Sequence, residues 1–291
     1  MGTIQEDAPW GNREDLPAAA RPVYTRKIMK GRPLLLALAA LAAGCAGTMT
    51  TRQVPVSIPT PATLTGDLFT PAGAGPFPAV ILLHGCAGLN PNVLAWSQWL
   101  QRMGYAALAL DSFRGRGLRN LCGNSGPLPG WVRANDIFAA ADALRAVPTV
   151  DSSRIAAIGF SHGGWTVLWA SRLQARYPET PLKALIAFYP FCGDQRALGG
   201  TAPLLMLLAG RDNWTLAEPC ERMADGAKQS GRPLELVLYP DARHAFDNPQ
   251  IRGRVLVAGA RGGRGATVEY NPKAHEDSEK QVRQFLSIHL D

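Results

Sequence analysis

Ile155-Ala156-Ala157-Ile158-Gly159-Phe160-Ser161-His162-Gly163-Gly164 decides how the chain is read. Residues 155–160 are a short apolar run without alternation, as expected of a strand buried on both faces. A G-x-S-x-G turn follows at 159–163, and residues 162–175 then carry apolar residues at helical spacing. A sharp turn between a buried strand and a helix lifts a serine hydroxyl above the sheet. Gly159 and Gly163 keep side chains out of that turn. The helix amino terminus adds free N–H groups and a field that favours negative charge. The competing reading is a glycine-rich turn that merely packs a helix on a strand.

The same rhythm extends outward. Residues 77–83 (FPAVILL), 105–110 (YAALAL), 182–189 (LKALIAFY), 203–209 (PLLMLLA) and 234–239 (LELVLY) are further compact apolar runs. Between them lie helical stretches, such as 92–103 with Trp96, Trp99, Leu100 and Met103 on one face. Others cover 135–145, 217–229 and 273–290. Strands alternating with helices predict a mostly parallel, doubly wound α/β sheet flanked by helices. Residues 53–70 alternate and contain turn formers, which predicts an antiparallel hairpin pair. Residues 112–131 and 251–268 are rich in Gly and Arg and are expected as long loops, the second a mobile surface loop without regular structure.

Ligands of such sheets sit beyond the carboxyl ends of the strands. Asp212 follows the run at 203–209, and His244 follows the run at 234–239. Ser161, Asp212 and His244 therefore appear in the chain order of an α/β-hydrolase triad. A serine hydroxyl is a poor nucleophile until a base takes its proton, and neutral imidazole does so near pH 7. A buried carboxylate holds the imidazole in the required tautomer. Asp194 is the reserve acid; Asp241 and Asp247 flank His244 and read as loop-positioning residues. His84 is expected to shape a turn, the His162 side chain to point away from the serine, and His275 and His289 to lie on the last helix. The backbone N–H groups of Cys86, in the segment His84-Gly85-Cys86-Ala87-Gly88, and of His162 are the expected oxyanion donors. Arg114, Arg116 and Arg119 either border the mouth of the site, hinting at an anionic substrate, or are solvated. Trp131, Trp165 and Trp214 either line an acyl pocket or fill core.

The amino terminus reads as an address. Leu34 to Ala43 is apolar, follows Lys30 and Arg32, and ends at Gly44-Cys45. A basic region, a short apolar region and small residues at a cleavage point make a secretory signal. Ala42-Ala43-Gly44-Cys45 resembles a bacterial lipobox, with Cys45 as the lipidated first mature residue; the alternative is an ordinary secretory signal. Residues 1–28 contain acidic pairs and prolines and are aperiodic, and Met29 is the expected physiological start. The organisation is then an extension plus signal at 1–44, an anchor and tether at 45–52, and one domain at 53–291, in the periplasm or anchored to a membrane. The remaining Cys86, Cys122, Cys192 and Cys220 are even in number, which suits two disulfides in an oxidising compartment. Four cysteines allow three pairings. Cys86–Cys122 and Cys192–Cys220 join loops after neighbouring strands and are the expected ones.

Composition narrows the remaining classes. A 46% hydrophobic, 18% charged chain is not intrinsically disordered. The formal net charge of +7 raises nucleic acid as a partner. Yet the basic residues are dispersed, and no zinc-finger, RNP-type or basic-helix pattern occurs. No dinucleotide or P-loop motif follows a strand, and the Cys and His spacings match no metal motif. The expectation is a small-molecule substrate, no cofactor, no metal, no nucleic acid and a monomer.

Several segments together resemble the dienelactone hydrolase family of α/β-hydrolases: LLHGCAGLN, GYAALALDSFRGRG, NLCGN, VDSSRIAAIGFSHGG, AFYPFCG, LLAGRDNW, LYPDARHAF and VEYNPKAHEDS. They extend over most of residues 77–280. The resemblance implies a nucleophile–Asp–His triad at Ser161, Asp212 and His244. The founding members carry Cys at the elbow where this chain has Ser161, which favours a general carboxylic ester or lactone hydrolase. An amide or peptide hydrolase of the same fold and a non-catalytic envelope lipoprotein are the alternatives.

Overall fold

The structure, a computed structural model, describes residues 48–58, 62–194 and 196–291. Met29, the apolar run at 34–43 and Cys45 lie outside the described residues. An eight-stranded sheet forms the centre, built in the order β1-β2-β4-β3-β5-β6-β7-β8. Strands β1 (Thr50–Ser57) and β2 (Thr63–Thr70) pair antiparallel at one edge. Strand β2 also runs antiparallel to β4 (Ala106–Asp111). From β4 onward every pairing is parallel, through β3 (Phe77–Leu83), β5 (Val150–Phe160), β6 (Leu182–Phe188), β7 (Leu204–Ala209) and β8 (Leu234–Tyr239).

Strand alternation divides the core into two layers. Val80, Leu82, Ala156 and Ile158 face α1 (Pro91–Arg102) and α6 (Pro272–Leu290), meeting Trp96, Leu100, Phe285 and Leu286. Ala79, Ile81, Leu83 and Ala157 face the opposite layer with α2 (Gly130–Arg145), α3 (His162–Leu173) and α4 (Ala217–Gln229). Among the described residues, no helix is long and apolar enough to cross a membrane.

Four segments differ from the sequence reading, one of them β5, which begins at Val150 and not at residue 155. Strand β1 begins at Thr50, inside the expected tether, because α1 pins the strand ends: Gln101 Nε2 donates to the Thr50 and Thr70 carbonyls at 3.0 and 2.8 Å. Helix α2 starts at Gly130, five residues early, since Pro129 at the cap supplies the turn and Gly130 packs against the Trp165 ring. Residues 251–268 are not an irregular loop. Strands β9 (Arg254–Val257) and β10 (Ala266–Glu269) pair antiparallel around the short turn α5 (Ala260–Gly263). Four-residue strands are too short to show a period, and glycines at positive φ (Gly253, Gly262, Gly263 and Gly265) close the ribbon. This ribbon is tied to the site, because His244 bridges to Val268 and its carbonyl accepts from the Glu269 N–H at 3.2 Å.

Candidate active site

Strand β5 ends at Phe160, and Ser161 follows with φ 54° and ψ −111°. That conformation is rare for a non-glycine residue and needs support from its surroundings. The support is local. The Ser161 N–H donates to the Phe188 carbonyl at 2.9 Å, and the Ser161 carbonyl accepts from the Trp165 N–H, opening α3. A Cβ at Gly159 would overlap the Gly163 carbonyl, and one at Gly163 would overlap the Leu83 carbonyl. Only glycine fits either place.

Three segments converge on the serine. His244 Nε2 lies 2.8 Å from Ser161 Oγ, and His244 Nδ1 lies 2.7 Å from Asp212 Oδ2. Ser161, His244 and Asp212 are all buried, yet Ser161 borders two clefts. Asp212 Oδ1 accepts from the Trp214 and Thr215 N–H groups at 2.7 and 3.0 Å. The Thr215 hydroxyl sits 3.0 Å from Asp212 Oδ2 and 2.9 Å from the Tyr189 carbonyl, and donates to one of them. A carboxylate with this many donors is held as an acceptor for the imidazole Nδ1–H. The imidazole lies between two aromatic rings, Tyr189 at 4.7 Å and Trp214 at 4.9 Å between centroids.

Behind His244, Asp247 is fully buried and accepts from Asn92 Nδ2 and Trp96 Nε1 at 2.8 Å and from the Tyr189 hydroxyl at 2.6 Å. Burial and the neighbouring Asp247 charge hold the Tyr189 hydroxyl well above its ordinary pKa, so it stays a donor. Asp247 thereby fastens the His244 loop to α1 and to the end of β6.

On the other side stands a second buried polar group. His84 Nδ1 is 2.8 Å from the Gly85 carbonyl, and His84 Nε2 accepts from the Ser112 N–H at 3.3 Å. Arg133, fully buried, donates through Nη1 to the His84 carbonyl at 2.9 Å and to His162 Nδ1 at 3.0 Å. Burial, aided by the Arg133 charge, pushes the His162 ring down to about 3 and His84 well below its ordinary value. Both rings are neutral near pH 7. His162 turns its side chain toward Arg133, and its backbone N–H begins α3.

A cleft of about 350 Å³ reaches Ser161 between Leu121, Trp165, Phe191 and Arg261. A second, of about 240 Å³, reaches it past Asn90, Tyr189, His244 and Val268. Cys86, Cys122 and Trp214 line both and separate them. Cys86 and Cys122 are joined as a disulfide, as are Cys192 and Cys220.

Other sequence candidates lie elsewhere. Asp194 pairs with the exposed Arg196 and does not touch His244. Asp241 forms an exposed ion pair with Arg211. Arg116 turns inward, holding Asp136 at 2.6 and 2.9 Å, and does not border the mouth. Arg114 and Arg119 line a separate surface hollow without Ser161. Trp165 and Trp214 line the site, whereas Trp131 is half exposed outside it. His275 and His289 lie on α6. Thr215, Tyr189, Phe191, Arg133 and Arg261 were not anticipated. A threonine three residues after a candidate acid was the one local signal available for any of them.

The model of the dienelactone hydrolase family matches residues 64–290. The chain belongs to the dienelactone hydrolase family. It is 27% identical over 196 residues to a Methylorubrum extorquens protein named "Putative carboxymethylenebutenolidase", covering 60% of this chain and 65% of that one. It is 32% identical over 148 residues to esterase FrsA of Escherichia fergusonii, covering 50% and 32%. The match thus spans under two thirds of either relative. Among solved structures, a dienelactone hydrolase-like promiscuous phosphotriesterase from metagenomic libraries superposes with a TM-score of 0.68 at 25% identity. That match covers 84% of this chain and all of the other. Family membership and this superposition give the chain the α/β-hydrolase fold.

Proposed function

We propose that the chain is a serine hydrolase that cleaves carboxylic esters or lactones through an acyl-enzyme. The observation that carries this reading is the unbroken line from Ser161 Oγ through His244 to Asp212, at 2.8 and 2.7 Å. Ser161 Oγ attacks the ester carbonyl while its proton passes to His244 Nε2. The Asp212 carboxylate stabilises the imidazolium that forms. The negative charge on the former carbonyl oxygen is met by the Cys86 and His162 N–H groups, each such donor being worth ~3–4 kcal/mol. His244 then returns the proton to the leaving alkoxide. Water deacylates the serine by the same steps in reverse order.

The test is turnover of p-nitrophenyl acetate and butyrate by the protein and by Ser161→Ala. A burst of nitrophenol equal to the enzyme present, absent from the variant, supports the acyl-enzyme. Equal rates in both proteins remove Ser161 as nucleophile. A folded protein inactive on esters but active on anilides reassigns it to amide hydrolysis; inactivity on both favours the non-catalytic envelope lipoprotein.

We also propose export, with a lipid anchor at Cys45. The reading rests on the apolar run at 34–43, the Ala42–Cys45 sequence and two disulfides, which persist in oxidising compartments. The expected native product begins at Cys45 and carries acyl mass. A mass matching an unmodified amino terminus removes the anchor.

A further inference from the structure

Arg133 is a costly residue to bury. Its side chain is inaccessible, no carboxylate touches it, and its Nε and Nη2 have no partner among the described residues. Burial lowers its pKa to about 9, so it remains a cation at neutral pH. Asp136 and Asp111 act on it only at longer range, and a buried charge without a direct counter-ion carries a desolvation penalty of several kcal/mol that methionine in the same space would not. The two hydrogen bonds it does make are both to segments that bear a proposed oxyanion donor.

The first is to the His84 carbonyl. His84 in turn donates from Nδ1 to the Gly85 carbonyl. The Gly85 carbonyl and the Cys86 N–H belong to one trans peptide and point in opposite directions. Fixing that carbonyl on the His84 ring fixes where the Cys86 N–H aims. Gly85 lies against the serine, since a Cβ there would meet Ser161 Cβ at 3.6 Å. The second bond is to His162 Nδ1, on the residue whose N–H is the other donor. The Arg133 guanidinium also lies 5.1 Å from the Phe113 ring centroid, and that ring packs edge-on against His84.

We infer that Arg133 is a positioning residue for the oxyanion site, bridging the His84 carbonyl to the His162 ring and thereby setting the spacing and aim of the Cys86 and His162 N–H groups. The inference rests on the ester-hydrolase reading and adds to it a residue that never touches substrate. Its charge also raises the local potential beside the developing oxyanion.

The test compares wild type, Arg133→Met and Arg133→Lys, with Ser161→Ala as the reference for the reading itself. A positioning role predicts a fall in kcat for p-nitrophenyl butyrate on the order of 100-fold, the usual penalty for misplacing a catalytic group by about an ångström. KM should change less than about twofold. Affinity for an alkyl boronic acid, whose serine adduct carries the tetrahedral charge, should weaken in parallel with kcat. Affinity for a neutral amide competitor should not. Lysine places one point charge where two directional bonds are needed, so Arg133→Lys should not restore kcat. A folded Arg133→Met with wild-type kcat and boronate affinity overturns the inference. So does equal weakening of both inhibitors, which marks a general loss of structure. If Arg133→Met does not fold, His162→Leu removes one of the two acceptors and His84→Phe removes the hold on Gly85. Each must then lower kcat about 10-fold or more at unchanged KM, and wild-type kcat in either overturns the inference. Should wild type and Ser161→Ala hydrolyse the ester equally, the ester-hydrolase reading itself has failed, a result distinct from every one above.

Discussion

Two buried imidazole clusters flank Ser161, and they are built on opposite rules. Around His244, the Asp212 and Asp247 carboxylates each collect donors from backbone and side chains, and two aromatic rings close the imidazole in. Around His84 and His162 the charge in direct contact is the Arg133 cation, with the Asp111 carboxylate 4.0 Å from His84 Nε2, and Ser112 Oγ joins Arg133 in having an unpartnered atom among the described residues. The first cluster is anionic and suits an imidazole that gains a proton. The second sets a guanidinium on its imidazoles, and burial, aided by that charge, keeps them neutral. Under the proposed mechanism, the difference gives one serine a proton carrier on one side and amide donors on the other.

Breaking the anionic side should have the largest effect. Ser161→Ala or His244→Ala is expected to lower kcat by at least ~10⁴-fold with little change in Tm. Asp212→Asn keeps the shape but offers the imidazole a donor where an acceptor is needed, and kcat should fall about 10³–10⁴-fold. A rate near wild type in stopped-flow assays of Asp212→Asn would assign the acid elsewhere.

The two disulfides sharpen the contrast at smaller scale. Each closes a loop, with sequence separations of 36 and 28, and each should stabilise by about 4 kcal/mol in the loop-entropy model. Cys86–Cys122 holds the proposed donor segment, where the Leu121 N–H also donates to the Cys86 carbonyl at 2.8 Å. Paired replacement by alanine there should lower both Tm and kcat, the latter about 10-fold. The Cys192–Cys220 replacement should lower Tm alone, as read by calorimetry and steady-state kinetics. Equal kinetic effects would dissolve the distinction.

The cationic side predicts a pH dependence of stability. Folded His162 protonates near pH 3, whereas the unfolded residue protonates near 6.5. Between those values the unfolded chain binds more protons, so stability falls as pH drops from about 6.5 toward 3. The slope is at most about 1.4 kcal/mol per pH unit for each such histidine. His84, also held down, adds in the same direction. His162→Gln should flatten the dependence of denaturation midpoint on pH; an unchanged slope contradicts it. Smallest of all, Thr215→Val should lower kcat a few-fold, since the Trp214 and Thr215 N–H groups still hold Asp212.

Much of this was legible in the sequence for physical reasons. Strands buried on both faces leave unbroken apolar runs, and G-x-S-x-G marks its own sharp turn. Asp212 and His244 stand immediately after such runs. The edge position of β1 and β2 next to β4 was not legible, because strand order is decided by packing across the sheet. Strands β9 and β10 are too short to leave a pattern among glycines and arginines. Arg133 looks in sequence like any arginine of a helix, and Arg114, Arg116 and Arg119 look alike although one is half-buried against Asp136. Only tertiary contacts separate them.

Crowding at the elbow sets terms for anyone who alters this protein. Random diversification of residues 159–164 should return mostly unfolded chains, because backbone atoms occupy the places where new side chains would go. Asn124, Ser125 and Phe191 in the cleft walls are free of such backbone crowding, whereas Cys122 is held by its disulfide and Arg261 and Gly262 by positive φ. A library aimed at new substrates belongs at those three free positions, with the serine turn left as it stands.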